Sequence, residues 1–164
     1  MKKVCIILLI LLFAFPLIAN RKAPGFALWS NKGKMVFKSR LKGNLLISFW
    51  SSTCLPCKKE MPYLIKLEKK YKSLKNLRLV LINTDINDNS GSAKTKARKT
   101  MRELGLNHGF LLDIYQMALA KYNPKKTVPS LFLVNKYGRI IFQEIGAHKN
   151  TLVKLENAIR RLRK

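Results

Sequence analysis

The chain offers one pair of residues whose types and spacing can carry covalent chemistry. Cys54 and Cys57 stand in the segment Trp50-Ser51-Ser52-Thr53-Cys54-Leu55-Pro56-Cys57. Two thiols three residues apart across a helix start lie close enough to close a small disulfide ring. The first is expected to be exposed at the helix N-terminus, where unpaired backbone N–H groups and the positive dipole end favour a thiolate. Lys58 and Lys59 add positive charge beside it. In such settings a thiol pKa falls from about 8.5 into a range of roughly 3.5–7.5. Cys54 is then the nucleophile and Cys57, one turn into the helix, the buried resolving thiol. Exchange runs through a mixed disulfide on Cys54 that Cys57 releases.

Three other uses of the pair fit less well. A structural disulfide of this span closes almost no loop and stabilises little. A structural zinc site needs four ligands, and only His108 and His148 remain, distant and solitary, so no metal is expected. A peroxide-reducing cysteine has no need of Cys57 and expects a Pro at a fixed offset before it; Thr53 is present but that Pro is not.

The motif needs a buried strand before it and a helix after it, and the sequence supplies both. Leu45 to Trp50 is an apolar run of strand length and reads as a central strand buried on both faces. Pro56 to about Leu74 reads as a helix with Met61, Leu64, Ile65, Leu67 and Tyr71 on its apolar face, kinked at Pro62. Leu77 to Asn83 is a second strand, followed by a turn-rich loop from Asp85 to Gly91. Ser92 to Leu104 reads as a basic surface helix closed by Gly105. Phe110 to Leu112 is a short extended piece, and Gln116 to Tyr122 one or two helical turns. Ser130 to Asn135 is a third strand, joined through Lys136, Tyr137 and Gly138 to a fourth from Arg139 to Ile145. Asn150 or Thr151 is placed to cap a final helix that carries Leu152, Val153, Leu155, Ile159 and Leu162. The order strand–helix–strand–helix–strand–strand–helix predicts an α/β fold with a mixed sheet.

The N-terminus bears on the compartment. Lys2 and Lys3 precede an apolar run from Val4 to Phe15, then Pro16 and Ala19. This is the layout of a secretory signal. With Leu17 and Ile18 the run also approaches the length of a short membrane anchor. Residues 1–19 are therefore expected to be a signal peptide or an N-terminal anchor, 20–25 a linker and 26–164 the folded domain. Cys5 comes too early to be a lipidated cysteine and reads as apolar filler. Either outcome places the domain outside the cytoplasm.

Composition excludes other classes. Of 164 residues 48% are hydrophobic, which excludes intrinsic disorder. Only one long apolar run exists, which excludes a multispan membrane protein. Lys and Arg number 33 against 8 Asp and Glu, a net charge of +25 that stays at +23 without residues 1–19. Such an excess ordinarily points to a polyanionic partner. Here the export signal, the absence of zinc-finger spacing and the scatter of the charge argue against nucleic acid. The charge then reads first as a solvated basic surface, with attraction to an anionic membrane face or an acidic partner as the second reading.

Beyond these readings, the sequence resembles the thioredoxin-like proteins of the TlpA/ResA group, extracytoplasmic thiol–disulfide oxidoreductases associated with the membrane. The similarity runs from about Ala23 to the C-terminus. It is carried by Ala23-Pro24-Gly25-Phe26-Ala27-Leu28, by Phe49-Trp50, by Cys54-Leu55-Pro56-Cys57-Lys58-Lys59-Glu60-Met61-Pro62, by Val128-Pro129-Ser130-Leu131-Phe132-Leu133-Val134 and by Tyr137-Gly138-Arg139-Ile140. The resemblance implies a thioredoxin fold, a central mixed β-sheet flanked by helices. It implies that Cys54 and Cys57 form a redox disulfide, with no metal or organic cofactor. Pro129 matches the family's cis-proline, which lets the Val128 carbonyl face an incoming substrate segment. Trp50 matches the packing tryptophan below the motif and is grouped with Val128 and Pro129 as a substrate-side residue. Glu60 matches a glutamate near the active site, a proton acceptor or substrate contact.

Three departures limit the carry-over. Ser48 stands where cytoplasmic thioredoxins carry a buried Asp, Thr53 replaces a common aromatic residue, and Leu55-Pro56 is not Gly-Pro. By resemblance the expected activity is reduction of protein disulfides, cytochrome c maturation being a frequent task of the group, with electrons from a membrane or extracytoplasmic donor. The alternatives are a peroxide-reducing or oxidising thiol protein and a non-enzymatic module, membrane-docked or copper-chaperone-like. A copper site would want wider Cys spacing and a nearby His.

Overall fold

The structure, a computed structural model, describes residues 21–89 and 91–162. The apolar run, with Cys5, lies outside the described residues. The elements are β1 (Ala27–Ser30), β2 (Met35–Phe37), a 3-10 turn (Lys38–Arg40), β3 (Asn44–Trp50), α1 (Leu55–Lys75), β4 (Leu77–Asn83), α2 (Ala93–Glu103), β5 (Phe110–Leu112), α3 (Met117–Tyr122), β6 (Ser130–Val134), β7 (Ile140–Ile145) and α4 (Thr151–Arg160). Seven strands form one sheet in the order β2-β1-β5-β4-β3-β6-β7. β3, β4 and β5 are parallel, and the remaining neighbours pair antiparallel. The fold is the expected mixed sheet flanked by helices.

Alternation along β3 explains its position. Leu46 and Trp50 face one side of the sheet, where they pack with Met61, Leu64 and Leu67 of α1, Ala97 and Met101 of α2, and Leu155 and Ile159 of α4. Leu45, Ile47 and Phe49 face the other, where Ala118, Leu119 and Tyr122 of α3 and Phe26 cover them. A strand covered on both faces must be apolar at nearly every position, and β3 is buried throughout.

Some elements differ from the sequence reading. β1 and β2 form an N-terminal hairpin turned at Gly33, whose φ is +76°, and no apolar run marks them: their residues alternate between exposed and half-buried. Residues 21–25 are fastened to the fold and do not hang as a linker. Ile140 N–H donates to the Arg21 carbonyl and Ala23 N–H to the Gly138 carbonyl, both at 2.8 Å, and Ala23 is buried. α1 continues through Pro62 as a single helix. Asn150 does not cap α4 through its side chain. It adopts a left-handed φ of 66°, and the Thr151 hydroxyl donates instead to the His148 carbonyl at 2.9 Å.

Candidate active site

β3 delivers the chain to its C-terminal end, and the loop 51–53 leads to Cys54, which is the N-cap of α1. Its extended backbone (φ −79°, ψ 98°) ends the loop, and Pro56 sits in the first turn, where a missing N–H costs nothing. Cys54 and Cys57 are joined as a disulfide with their Cα atoms 5.3 Å apart. The Cys57 N–H donates to Cys54 Sγ at 3.2 Å, so one otherwise unpartnered donor of the helix start is aimed at the reactive sulfur. Negative charge developing on that sulfur would be met by this N–H and by the helix dipole.

Cys54 is less open than expected. It is 9% exposed and Cys57 2%. Sγ of Cys54 turns inward toward Cys57 and its N–H, which hides it. What stands outward beside it is Leu55, 61% exposed, with Thr53 and Pro56. Trp50 is fully buried and edge-on to Phe110 with centroids 6.0 Å apart. It offers a substrate no surface, so its place is in the core beneath the motif rather than among the substrate contacts.

The Val128–Pro129 bond is cis. Register places it beside the motif: Ser130 pairs with Phe49, so Pro129 lies level with the end of β3. The turn is tied from several sides. Ser130 Oγ donates to the Thr127 carbonyl at 2.6 Å, Asn123 Nδ2 to the same carbonyl at 3.2 Å, and Gly146 N–H to the Pro129 carbonyl at 2.8 Å. Val128 and residues 51–53 together line one cleft of about 300 Å³, shared with Asp85, Ile86 and Gln116.

Glu60 projects from α1 three residues beyond Cys57. Its Oε2 is buried with no hydrogen-bond partner. Burial, and next to it the Glu144 carboxylate, push its pKa up to about 7. Glu144 on β7 pairs with Leu131 in register, close to the cis bond, and its Oε1 lies 3.8 Å from His148 Nε2. A carboxyl poised at neutral pH can take or give a proton at no large cost. Ser48 is buried on β3 and brings no carboxylate of its own, which leaves Glu60 as the acidic group nearest in sequence to the pair.

Asp85 is a site residue that the sequence reading missed. Its carboxylate accepts the Ser52 N–H through both oxygens at 3.0 and 3.2 Å and the Asn83 side-chain amide at 3.0 Å. It thereby fixes the loop that carries Cys54. The available signal was topological: the Asn83-Thr84-Asp85 segment ends a strand parallel to β3, and loops at the C-terminal ends of neighbouring parallel strands meet. His108 belongs elsewhere. It bonds Glu68 at 3.0 Å and the Gly109 carbonyl at 2.7 Å, away from the cysteines in a loop before β5.

Comparison with known proteins agrees with this geometry. Residues 18–159 match the Redoxin family model. The thiol-disulfide oxidoreductase ResA of Bacillus subtilis is 30% identical over 132 residues, 80% of this chain and 69% of that protein. Among solved structures, StoA from Bacillus subtilis superposes with a TM-score of 0.61 at 26% identity, over 83% of this chain and 96% of StoA. A Chlorobium tepidum protein described as a DsbE thiol:disulfide interchange protein shares the fold, with a TM-score of 0.74 at 24% identity over 87% of this chain and 95% of that one. With a dithiol pair at a helix start, a thioredoxin-type sheet and these relatives, the chain belongs to the redoxin family and, within it, to the ResA-like thiol–disulfide oxidoreductases, enzymes whose substrates are protein disulfides.

Proposed function

We propose that the protein works outside the cytoplasm as a reductant of protein disulfides. In the reduced enzyme the Cys54 thiolate attacks one sulfur of the substrate disulfide. A Cys54–substrate mixed disulfide forms and the first substrate sulfur leaves as a thiolate that takes up a proton. Cys57 then gives its proton to Glu60 and attacks Cys54 Sγ. The mixed disulfide breaks, the second substrate sulfur leaves and is protonated, and the Cys54–Cys57 disulfide closes. Two electrons and two protons have passed to the substrate. A membrane or extracytoplasmic dithiol donor restores the reduced pair.

The observation that carries this reading is the Cys54–Cys57 disulfide, whose Cys54 Sγ accepts a hydrogen bond from the Cys57 N–H. The buried Glu60 carboxyl supports the proton step. The cleft between Val128 and residues 51–53 supports docking of an extended substrate segment beside Pro129. Residues 1–19 act as signal peptide or anchor, and residues 26–164 form the catalytic domain. Cytochrome c maturation is a task that fits this chemistry.

A Cys57→Ser chain expressed in the native host tests the scheme. It is expected to accumulate mixed disulfides on Cys54, and mass spectrometry identifies the partners. Absence of such adducts, together with no dithiothreitol-driven insulin reduction by the unaltered enzyme, would refute it. A reduction potential below about −200 mV supports the reducing direction, and one near about −120 mV reverses it.

A further inference from the structure

The fold gathers one group of basic side chains at a pole where, among the described residues, no carboxylate lines the clefts. β3 and β4 begin, β6 ends and β7 begins at the pole opposite the disulfide. Lys38, Lys42, Lys136 and Tyr137 line a cleft of about 270 Å³ there. Arg161 joins Lys136 and Tyr137 around a second cleft at the end of α4. Among the described residues no acidic one lines either cleft. Five of the chain's eight carboxylates, Glu60, Asp85, Asp88, Asp113 and Glu144, lie toward the other pole, at the cysteine loop, the strand ends and the groove beside them.

Two further features of the basic pole narrow its partner. Tyr137, at the tip of the β6–β7 turn, is 73% exposed, and Lys136 Nζ lies 5.5 Å from its ring centroid. An amphipathic ring beside long basic side chains suits the headgroup layer of a bilayer. The chain also enters the fold here. Arg21 is bonded to Ile140, and Lys22 forms a bridge with Arg139. The apolar run Val4–Ile18 stands immediately upstream in the sequence. No helix among the described residues is long and apolar enough to cross a membrane. A run of this length is short for a spanning helix, and basic residues beside it add electrostatic attraction to an anionic leaflet.

We propose that the pole formed by Lys38, Lys42, Lys136, Tyr137, Arg139 and Arg161 docks on an anionic lipid bilayer. The choice of a bilayer rests on the reading of residues 1–19 as a membrane-directing segment. Docking fixes the orientation of the enzyme. β3 spans about 20 Å from its first residue to its last at ~3.3 Å per residue, so the disulfide faces away from the lipid at least that far above it. The thiols then meet the soluble parts of their substrates and not the bilayer surface.

The test uses the full chain in nanodiscs and hydrogen exchange read by mass spectrometry. In discs containing about 30% phosphatidylglycerol, amides of residues 42–43 and 136–139 are expected to exchange more slowly than in phosphatidylcholine discs, and about 0.5 M salt should abolish the difference. Each Lys or Arg near the surface changes the docking equilibrium by about fivefold. The triple variant Lys42→Gln/Lys136→Gln/Arg139→Gln is thus expected to weaken docking on the order of a hundredfold. It should leave insulin reduction intact, which shows that the variant is folded. A matched triple, Lys94→Gln/Lys99→Gln/Arg102→Gln on α2, should change docking little.

A chain that stays in solution would overturn the targeting reading and the docking with it. A chain that enters both discs with unchanged exchange at residues 136–139 overturns the docking alone. Equal loss in the α2 variant would reduce the effect to net charge, and protection by RNA or an acidic peptide in place of anionic lipid would assign the pole to another partner; either result overturns the proposal.

Discussion

Replacing Glu60 by Gln separates the cost of its charge from the rest of its environment. The carboxyl is driven from 4.5 to about 7 by burial first and by the Glu144 carboxylate second. The native state therefore holds a proton that the unfolded chain releases, and stability falls as pH rises from about 4.5 through about 7. Taken in full, that change corresponds to ~3.4 kcal/mol. Water still reaches part of the carboxyl, so ~1–2 kcal/mol is the expected size. Glu60→Gln copies the neutral acid. In urea titrations of the oxidised protein it should match the unaltered chain at about pH 4 and exceed it by ~1–2 kcal/mol at about pH 8. The same substitution should remove the part of the insulin-reduction pH profile that titrates near 7. A variant of equal stability at both pH values, or one less stable at about pH 8, would show that the carboxylate is not held at a cost. An unaltered pH profile would remove Glu60 from the proton step.

Other perturbations probe the supports of the site. Asp85→Ala leaves the Ser52 N–H without its acceptor and should lower the urea stability by about 1–3 kcal/mol, with a drop in insulin reduction as the loop before Cys54 loosens. Gly43→Ala places a Cβ against the Asn76 carbonyl oxygen at 2.5 Å in a backbone of φ +85°. The added strain and overpacking should cost about 3 kcal/mol, read as a shift of the urea midpoint. Glu156 accepts from Lys70, Tyr63 and Tyr71 and joins α4 to α1; these contacts, that with Lys70 first, hold its carboxyl at about 2. Glu156→Gln should therefore lose about 1 kcal/mol near neutral pH. Because the folded value lies below 4.5, the difference is present above about pH 4.5 and fades as pH falls toward 2, which acid titration of both chains can follow.

The parts of this fold that were legible in the sequence are those whose burial is complete or whose turns are chemically marked. β4 lies where Leu77 to Asn83 predicts it, and α1 extends one residue beyond the predicted helix at each end, because its apolar face and Pro56 define it. β1 and β2 were not legible because a hairpin lying at a sheet edge half-buries only alternate residues, and four residues of alternation do not rise above chance. Asn150 reads as a capping residue from its type, yet a residue in the left-handed region cannot aim its side chain at the helix start. The redox pair was legible because its chemistry is local. Asp85 and Glu144 were not, because each reaches the site only through strand pairing, which no spacing within the sequence encodes.

The same distinction between local and assembled features governs the charge. Lys58 and Lys59 stand next to the pair in sequence and suggest a site that stabilises thiolate. The folded chain adds groups of the opposite sign, Glu60 from the helix and Glu144 from across the sheet. Below neutral pH Glu60 carries its proton and leaves the helix dipole and the Cys57 N–H to favour the Cys54 thiolate. Above it, in the proposed scheme, the carboxylate would oppose that thiolate while becoming a better acceptor for the Cys57 proton. In the proposed scheme the two titrations are coupled, and an apparent pKa measured at the site would belong to the cysteines and Glu60 together. Attack by Cys54 and resolution by Cys57 ask for different protonation states of one carboxyl. In the proposed scheme a value of about 7 would let Glu60 supply both within a single turnover, which a carboxyl at the ordinary 4.5 would not.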